Sequence, residues 1–443
     1  MMQKKTCDIL LHNTTILDRD MNPRPGTSVA VADGKILAVS DAAGALSCFD
    51  AKEIVDGSRQ LWMPGLTDGH MHTGQQLLRG RILDALPMIW TRIMLPFEST
   101  LTPDRMELSA GLAALEMIRS GTTSFIDAGS YHMDAAAAVY VQSGLRGALS
   151  YSTMDDPKLP DSIRQTAKEA VASTDALYDA WHGKGKLKVY YSLRSLISCS
   201  EPLITAVCSR AKERDTMVQA HMNEYPNEIN YHLERYRRRP YEYLESLGVL
   251  ELLDGNFIGA HSLLLSEQEM DIMRERHIKA VHCPFSNCGK GAPDTPALLQ
   301  RGIQTALGTD GTAHGGMSLW NEMKIFRSVM NVTHGVATSN PVIMPAGTIL
   351  TMAVRGGAAA MGMENTLGAV AEGFQADLIS INIDQPHLLT GNLTHTLVES
   401  VTAGDVGDMM VGGSWVMRNR QVLTLDEEKI MSEARQYWRT SCL

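Results

Sequence analysis

The feature that most constrains this chain is an alternation of a short apolar run with a helical stretch, repeated about eight times through its middle. The runs are Trp62 to Asp68, Thr122 to Asp127, Arg146 to Ser150, Leu187 to Leu193, Thr216 to His221, Asn256 to His261, Ile278 to His282 and Ile303 to Asp310. Most give way to helical periodicity. The clearest helix runs from Asp104 to Arg119, with Thr102 as N-cap, Pro103 in the first helical position and Gly121 closing it. Strands separated by helices pair in parallel, and about eight such units predict a (β/α)8 TIM barrel.

The two ends read differently. Asp8 to Leu17, Ser28 to Ala32 and Lys35 to Ser40 look like short strands, and Asp33-Gly34 between the last two has the chemistry of a type I′ hairpin turn. Further along, Ala376 to Ile383, Asp408 to Val411 and Ser414 to Met417 repeat the pattern, with Gly412-Gly413 as a turn. An α/β chain is therefore expected, with its barrel over 63–365 and a second, small β-sandwich domain formed by both chain ends, 1–62 and 366–443. The length of 443 residues suits a barrel of about 250 residues plus such a domain.

Composition removes several alternatives. With 44% hydrophobic and 20% charged residues the chain resembles a soluble globular protein, not a disordered one. A net charge of -10 repels nucleic acid on average, and the basic run from Glu234 to Arg239 reads as a solvated surface. No unbroken apolar stretch approaches the roughly 20 residues of a membrane span. The seven cysteines (Cys7, Cys48, Cys199, Cys208, Cys283, Cys288, Cys442) are odd in number and contain no C-x-x-C pair, which argues against a disulfide framework or a cysteine zinc site. A cytoplasmic setting is expected, since Met1 to Asn13 also holds no apolar core of signal-peptide length.

In a barrel of this kind chemistry sits where strands end at the C-terminal face. Strand one ends in Asp68-Gly69-His70-Met71-His72, strand five in His221, strand six in His261, strand seven in His282 and strand eight in Asp310. Alternation along an extended chain puts His70 and His72 on one side, where both imidazoles reach a single ion. With His221 and Asp310 they form a three-histidine, one-carboxylate set suited to one divalent metal, Zn2+ or Fe2+, with a position left for water. A bound Zn2+ lowers the pKa of water from 15.7 to about 7, which makes a nucleophile available near neutral pH. Glu224, three residues past His221, is placed to serve as general acid and base, and His261 to steady the activated water or to polarise the reacting carbon. His282, in His282-Cys283-Pro284, has no assigned role and could brace its strand end.

Several motifs now stand together: Pro64 through His72, Leu77-Leu78-Arg79-Gly80, His221 with Glu224, Ala260-His261, His282 through Ser286-Asn287, Leu307-Gly308-Thr309-Asp310, and Gly373 through Ala376-Asp377-Leu378. In these the chain resembles the amidohydrolase superfamily, and within it the aminohydrolase branch of cytosine, guanine, pterin, triazine and S-adenosylhomocysteine/methylthioadenosine deaminases. Binuclear members bridge two metals with a carboxylated lysine on strand four. Here that strand ends in Ser192-Leu193-Arg194, so the resemblance implies one metal, with zinc favoured over iron. It further implies hydrolytic loss of ammonia from an amino-substituted N-heterocycle, with Glu224, His261 and Asp310 as the catalytic groups.

Five positions bear on the substrate. Trp90 and Glu98 are similar to residues at the mouth of the S-adenosylhomocysteine deaminase pocket, where the Glu meets ribose hydroxyls. Arg194 stands where adenosine-type members carry a histidine, and an arginine can only donate, which suits a carbonyl oxygen or an anion. Gln75 resembles the base-reading Gln of guanine deaminase, and His314 is expected to line the pocket where adenosine-type enzymes have a serine. The expected substrate is therefore guanine- or pterin-like. The alternatives are an adenosine-type nucleoside, or hydrolysis of another C–N or C–Cl bond on the same site. The expected partners are a small heterocycle and further copies of the chain, with neither nucleic acid nor membrane.

Overall fold

The computed structural model describes residues 4–82, 89–312 and 315–441. In the first end segment β1 (Lys5–Leu17), β2 (Pro23–Ala32), β3 (Lys35–Asp41), β4 (Phe49–Asp56) and β5 (Gln60–Pro64) follow one another. Asp33 and Gly34 both adopt positive φ (49° and 77°), as a type I′ turn requires, and Ala32 faces Lys35 across it.

The barrel strands are β6 (Leu66–Met71), β7 (Thr122–Asp127), β8 (Arg146–Leu149), β9 (Leu187–Val189), β10 (Tyr191–Leu193), β11 (Val218–Met222), β12 (Phe257–His261), β13 (Lys279–His282) and β14 (Thr305–Leu307). Consecutive strands pair in parallel from β6 to β9 and from β10 to β14. The two halves of the expected Leu187 to Leu193 run join at Tyr190, whose N–H donates to Leu149 O at 2.8 Å while Tyr191 N–H donates to Met217 O at 3.0 Å. That run therefore serves as the fourth of eight strands. The last meets the first through a parallel bridge of Met71 with Asp310, where Asp310 N–H donates to His70 O at 2.9 Å. Side chains such as Ile126, Ala148, Tyr190, Ile258, Val281 and Ala306 form a buried cluster drawn from successive strands, the packed interior such a barrel requires.

The expected first strand, Trp62 to Asp68, is two strands. Pro64 ends β5, which pairs with the end sheet, and β6 begins at Leu66 in the barrel. Gly65 sits at the break and leaves room for only a glycine, since a Cβ there would come within 2.1 Å of the Thr123 side chain. Proline also has no N–H for a ladder.

Beyond the barrel, β15 (Leu378–Asn382), β16 (Val406–Val411), β17 (Ser414–Arg418) and β18 (Gln421–Val422) return to the end domain. β15 pairs with β5, so all nine strands of the two ends belong to one hydrogen-bonded sheet, ordered β18-β17-β16-β15-β5-β1-β2-β3 with β4 on β1. The sheet folds over itself. The β2–β3 turn meets the β16–β17 turn, with Ala376 N–H donating to Gly34 O at 2.9 Å and Gly413 N–H to Ala376 O at 3.0 Å. Ile9, Leu11, Val31, Trp62, Phe374 and Met410 pack inside the fold. The helix Glu427–Ser441 leaves this domain and lies on the barrel helix Pro103–Ser120, where Glu427 pairs with Arg119 at 2.5 Å. Among the described residues no helix is long and apolar enough to cross a membrane.

Candidate metal centre and its pocket

His70, His72, His221 and Asp310 converge at the C-terminal mouth of the barrel, and one ligand atom from each lies within 4.8 Å of all the others. His72 Nε2 is 3.2 Å from His221 Nε2 and 3.3 Å from Asp310 Oδ1, and His70 Nε2 is 3.8 Å from the same oxygen. Both ring nitrogens of His70 are buried without a hydrogen-bond partner, although buried polar atoms in folded proteins are almost always paired. Burial and the neighbouring imidazoles hold His70 and His221 well below the usual histidine range, which keeps their lone pairs free. Burial opposes ionisation of Asp310, but the His72 hydrogen bond, the neighbouring His261 and the charge of Lys290 outweigh it and hold the carboxyl well below its usual range. Three imidazoles and one carboxylate fit a single divalent metal with an open position.

The backbone is bent to deliver these groups. Asp310, His261 and Asn223 all adopt left-handed φ (60°, 67° and 51°), a strained conformation for non-glycine residues that clusters at functional sites. Asp68 ties two of the strand ends together: it accepts His70 N–H at 3.2 Å, Thr309 N–H at 3.0 Å and Thr309 Oγ1–H at 2.6 Å. Burial nevertheless pushes its carboxyl up to about 7.

Glu224 and His261 stand beside the cluster, with His261 Nε2 3.6 Å from Glu224 Oε1 and 4.0 Å from Asp310 Oδ2. The Asn287 amide settles the tautomer of His261. Turned so that its oxygen accepts Cys283 N–H at 3.2 Å, it donates to Cys283 O at 3.3 Å and to His261 Nδ1 at 3.0 Å, which satisfies every neighbour. His261 then carries its proton on Nε2, toward the two carboxylates. His282 lies outside the cluster; its Nδ1 donates to His261 O at 2.9 Å, and burial lowers its pKa to about 4, so it braces the strand end as a neutral ring.

The pocket above this floor encloses about 730 Å3 including its open mouth, and Trp90, Met94, Arg194, Ile197, Tyr225 and Glu228 are among its walls. Of the residues expected to meet substrate, Trp90 and Arg194 reach it. Gln75 and Glu98 do not line it and stand one layer behind, where Glu98 Oε1 accepts from Gln75 Nε2 at 2.7 Å and from Arg194 Nη2 at 3.0 Å. Arg194 Nη1 donates to Gly129 O at 2.9 Å and lies 2.9 Å from His72 Nδ1, so the structure uses much of its donor fork internally. Glu98 Oε2 and Trp90 Nε1 are buried without partners. His314 lies outside the described residues.

Sequence reasoning missed Lys290. Its side chain is 6% exposed, and Nζ donates to Glu224 Oε1 at 2.5 Å and to Ser286 Oγ at 2.7 Å, while Ser286 Oγ–H donates to Asp310 Oδ2 at 2.5 Å. Tyr225 covers the ammonium with its ring at 5.2 Å. The signal was a lone lysine between two glycines, Gly289-Lys290-Gly291, in the loop after a strand that ends in histidine.

A (β/α)8 barrel with a three-histidine, one-aspartate centre at its C-terminal mouth and a further carboxylate beside it defines a metal-dependent hydrolase. The sequence profile described as the amidohydrolase family matches residues 61–416. The chain is 32% identical over 448 residues to a 5-methylthioadenosine/S-adenosylhomocysteine deaminase of Syntrophobacter fumaroxidans, covering 99% of each protein. It is also 32% identical to a 5'-deoxyadenosine deaminase of Methanothermobacter thermautotrophicus, over 92% of this chain and 93% of that one. Among solved structures it is similar to an adenosine deaminase from Xanthomonas campestris with bound zinc, at a TM-score of 0.92, 26% identity and 99% coverage of both chains. The chain belongs to the amidohydrolase family and is a hydrolase acting on carbon–nitrogen bonds.

Proposed function

We propose that this chain is a zinc-dependent hydrolytic deaminase of an adenosine-type nucleoside. The observation that carries the reaction type is the placement of Glu224 and His261 on one side of the four-donor cluster, at the floor of a pocket sized for a small heterocycle. In this reading His70, His72, His221 and Asp310 hold the ion, which supplies Lewis acidity toward water. Glu224 takes a proton from the attacking water and delivers it to the ring nitrogen beside the reacting carbon. His261 donates from Nε2 to the water oxygen and fixes its direction. Asp310 Oδ2 takes the remaining proton from the hydroxyl now on the carbon and passes it to the amino group as the carbon–nitrogen bond breaks, so that nitrogen departs as neutral ammonia. The carbon keeps the oxygen.

The adenosine-type substrate is supported by the two sequence relatives, both deaminases of adenosine-type nucleosides. Trp90 offers an aromatic wall for a base. Gln75 and Arg194 then hold Glu98 in place. A guanine- or pterin-like substrate stays as the second reading because Arg194 borders the pocket with N–H groups that suit a carbonyl.

Ammonia release from adenosine, 5'-deoxyadenosine, 5'-methylthioadenosine and S-adenosylhomocysteine, measured beside guanine and pterins on zinc-loaded protein, tests both. Turnover of one or more of the nucleosides at kcat/KM at least about tenfold above the free bases is expected. Turnover confined to guanine or pterins replaces the first reading with the second, and ammonia from neither set removes both.

A further inference from the structure

Glu228 stands one helical turn beyond Glu224, in the first turn of the helix Pro226–Tyr236, and borders the same pocket. It is 6% exposed. Its Oε2 accepts the Glu224 N–H at 3.0 Å, and its Oε1 is buried with no hydrogen-bond partner. A buried carboxyl oxygen is rarely left so, and in a pocket wall the missing partner is supplied by what enters the pocket.

The charges around Glu228 fix the form it takes. Glu224 is matched by Lys290, and Glu269 by Arg239 at 2.7 Å, but among the described residues no cation pairs with Glu228. His232, on its own helix, binds the Glu228 carbonyl through Nδ1 at 2.9 Å and is held neutral by burial. Tyr241, on the helix Pro240–Ser246, is buried and un-ionised. Arg194 and His221 share the pocket wall with it. Burial and then the negative charges of Glu224 and Glu269 push the Glu228 carboxyl up to about 8, while the amides of Glu224 and Asn223 pull the other way. Below that pH the residue is mostly the neutral acid, able to donate one hydrogen bond.

We propose that Glu228 is a substrate-contacting residue that reads an acceptor atom of the heterocycle, donating to it from the carboxyl beside Glu224. This rests on the deaminase reading and adds to it the atom of the ring that faces Glu228: an acceptor there, a ring nitrogen or a carbonyl oxygen, is selected over an N–H. As pH rises through about 8 the donor is lost and a carboxylate faces the same acceptor, so affinity falls.

The test uses zinc-loaded wild type, Glu228→Gln and Glu228→Leu, with KM and kcat for the best nucleoside substrate from pH 6 to 9. Equilibrium binding of inosine, a deaminated product, is followed in parallel as a readout without turnover. Glu228→Leu is expected to raise KM and the inosine Kd about tenfold or more with kcat within about threefold, because a donor has been replaced by a methyl-bearing wall. Glu228→Gln keeps an N–H donor of the same shape, so it should retain most of the affinity and lose the alkaline rise in KM. A role limited to anchoring the Glu224 N–H predicts the opposite split: kcat falls, and KM, inosine binding and their pH dependence match wild type. That result, or a wild-type KM flat from pH 6 to 9, overturns the proposal. Ammonia release by the wild type judges the deaminase reading separately, and inosine binding that Glu228→Leu leaves unchanged defeats the Glu228 assignment whatever the turnover.

Discussion

Lys290 Nζ sits 2.5 Å from Glu224 Oε1 and 3.8 Å from Asp310 Oδ2, so one buried ammonium serves both the Glu224 carboxylate and a carboxylate of the metal cluster. Burial alone would raise the Glu224 carboxyl, but His261 and Lys290 outweigh it and hold the group below its usual range. In the proposed reaction Glu224 would therefore begin as the base and reach the acid form only after taking a proton.

Replacing Lys290 with Met should therefore move the acid limb of the kcat/KM profile to higher pH. The sign follows from linkage: a depressed carboxyl is ionised above its lowered pKa, and removing the cation raises that pKa, so activity at pH 6 falls more than activity at pH 8. Lys290→Arg should restore the limb in part. A pH–rate profile for the three proteins checks this, and an unmoved acid limb in Lys290→Met would detach Lys290 from Glu224.

One equivalent of divalent metal per chain is expected, with His70→Ala and Asp310→Ala losing both metal and activity. Glu224→Gln should keep the metal and lose about 10² to 10⁴ in kcat, the usual contribution of a general acid/base group. Elemental analysis beside single-turnover rates distinguishes the two kinds of variant; two equivalents of metal would refute the single-ion centre.

Arg194 and Glu98 form an ion pair whose side chains are 2% and 1% exposed. Breaking it from either side strands a charge, so Arg194→Leu and Glu98→Leu should each lower unfolding stability by about 3–5 kcal/mol, and the double variant by less than their sum. Denaturant titrations of the four proteins measure this. Strict additivity would mean that the two side chains do not interact in solution.

Gly308 offers a test that touches no ligand. A Cβ there would lie 2.7 Å from His70 O and 2.8 Å from His70 N, both backbone atoms at the seam where the last strand meets the first. Gly308→Ala should open that seam, lower the Tm and weaken metal retention on dialysis. Unchanged metal content and Tm would show that the seam tolerates the shift.

What the sequence disclosed and what it hid follow from how each signal arises. His70, His72, His221 and Asp310 were legible because ligand-type residues close separate strands, and strand order brings those ends to one mouth. Thr102-Pro103 and Gly121 delimited their helix because cap chemistry is local; the Thr102 side chain does accept Arg105 N–H. The Trp62 to Asp68 run concealed two strands, since the two halves pair with partners far along the chain, β5 with β15 and β6 with β7. Lys290 escaped because a lysine between glycines carries no periodicity, and its partners come from other loops. The position of Gln75 and Glu98 behind Arg194 depends on how three separate segments pack, which no single stretch of sequence records.

The sheet that gathers both ends of the chain also sets an order of events during synthesis. β5 is made early, yet its antiparallel partner β15 follows roughly 300 residues later. At about 5–20 residues per second, a ribosome leaves that edge open for some tens of seconds while the whole barrel emerges. For that interval the β5 edge presents unpaired backbone groups, with Leu61, Trp62 and Met63 beside them, the kind of strand edge that invites pairing with another chain. The nascent protein is thus most exposed to misassociation just before its last strands appear, and the arrival of β15 closes that interval.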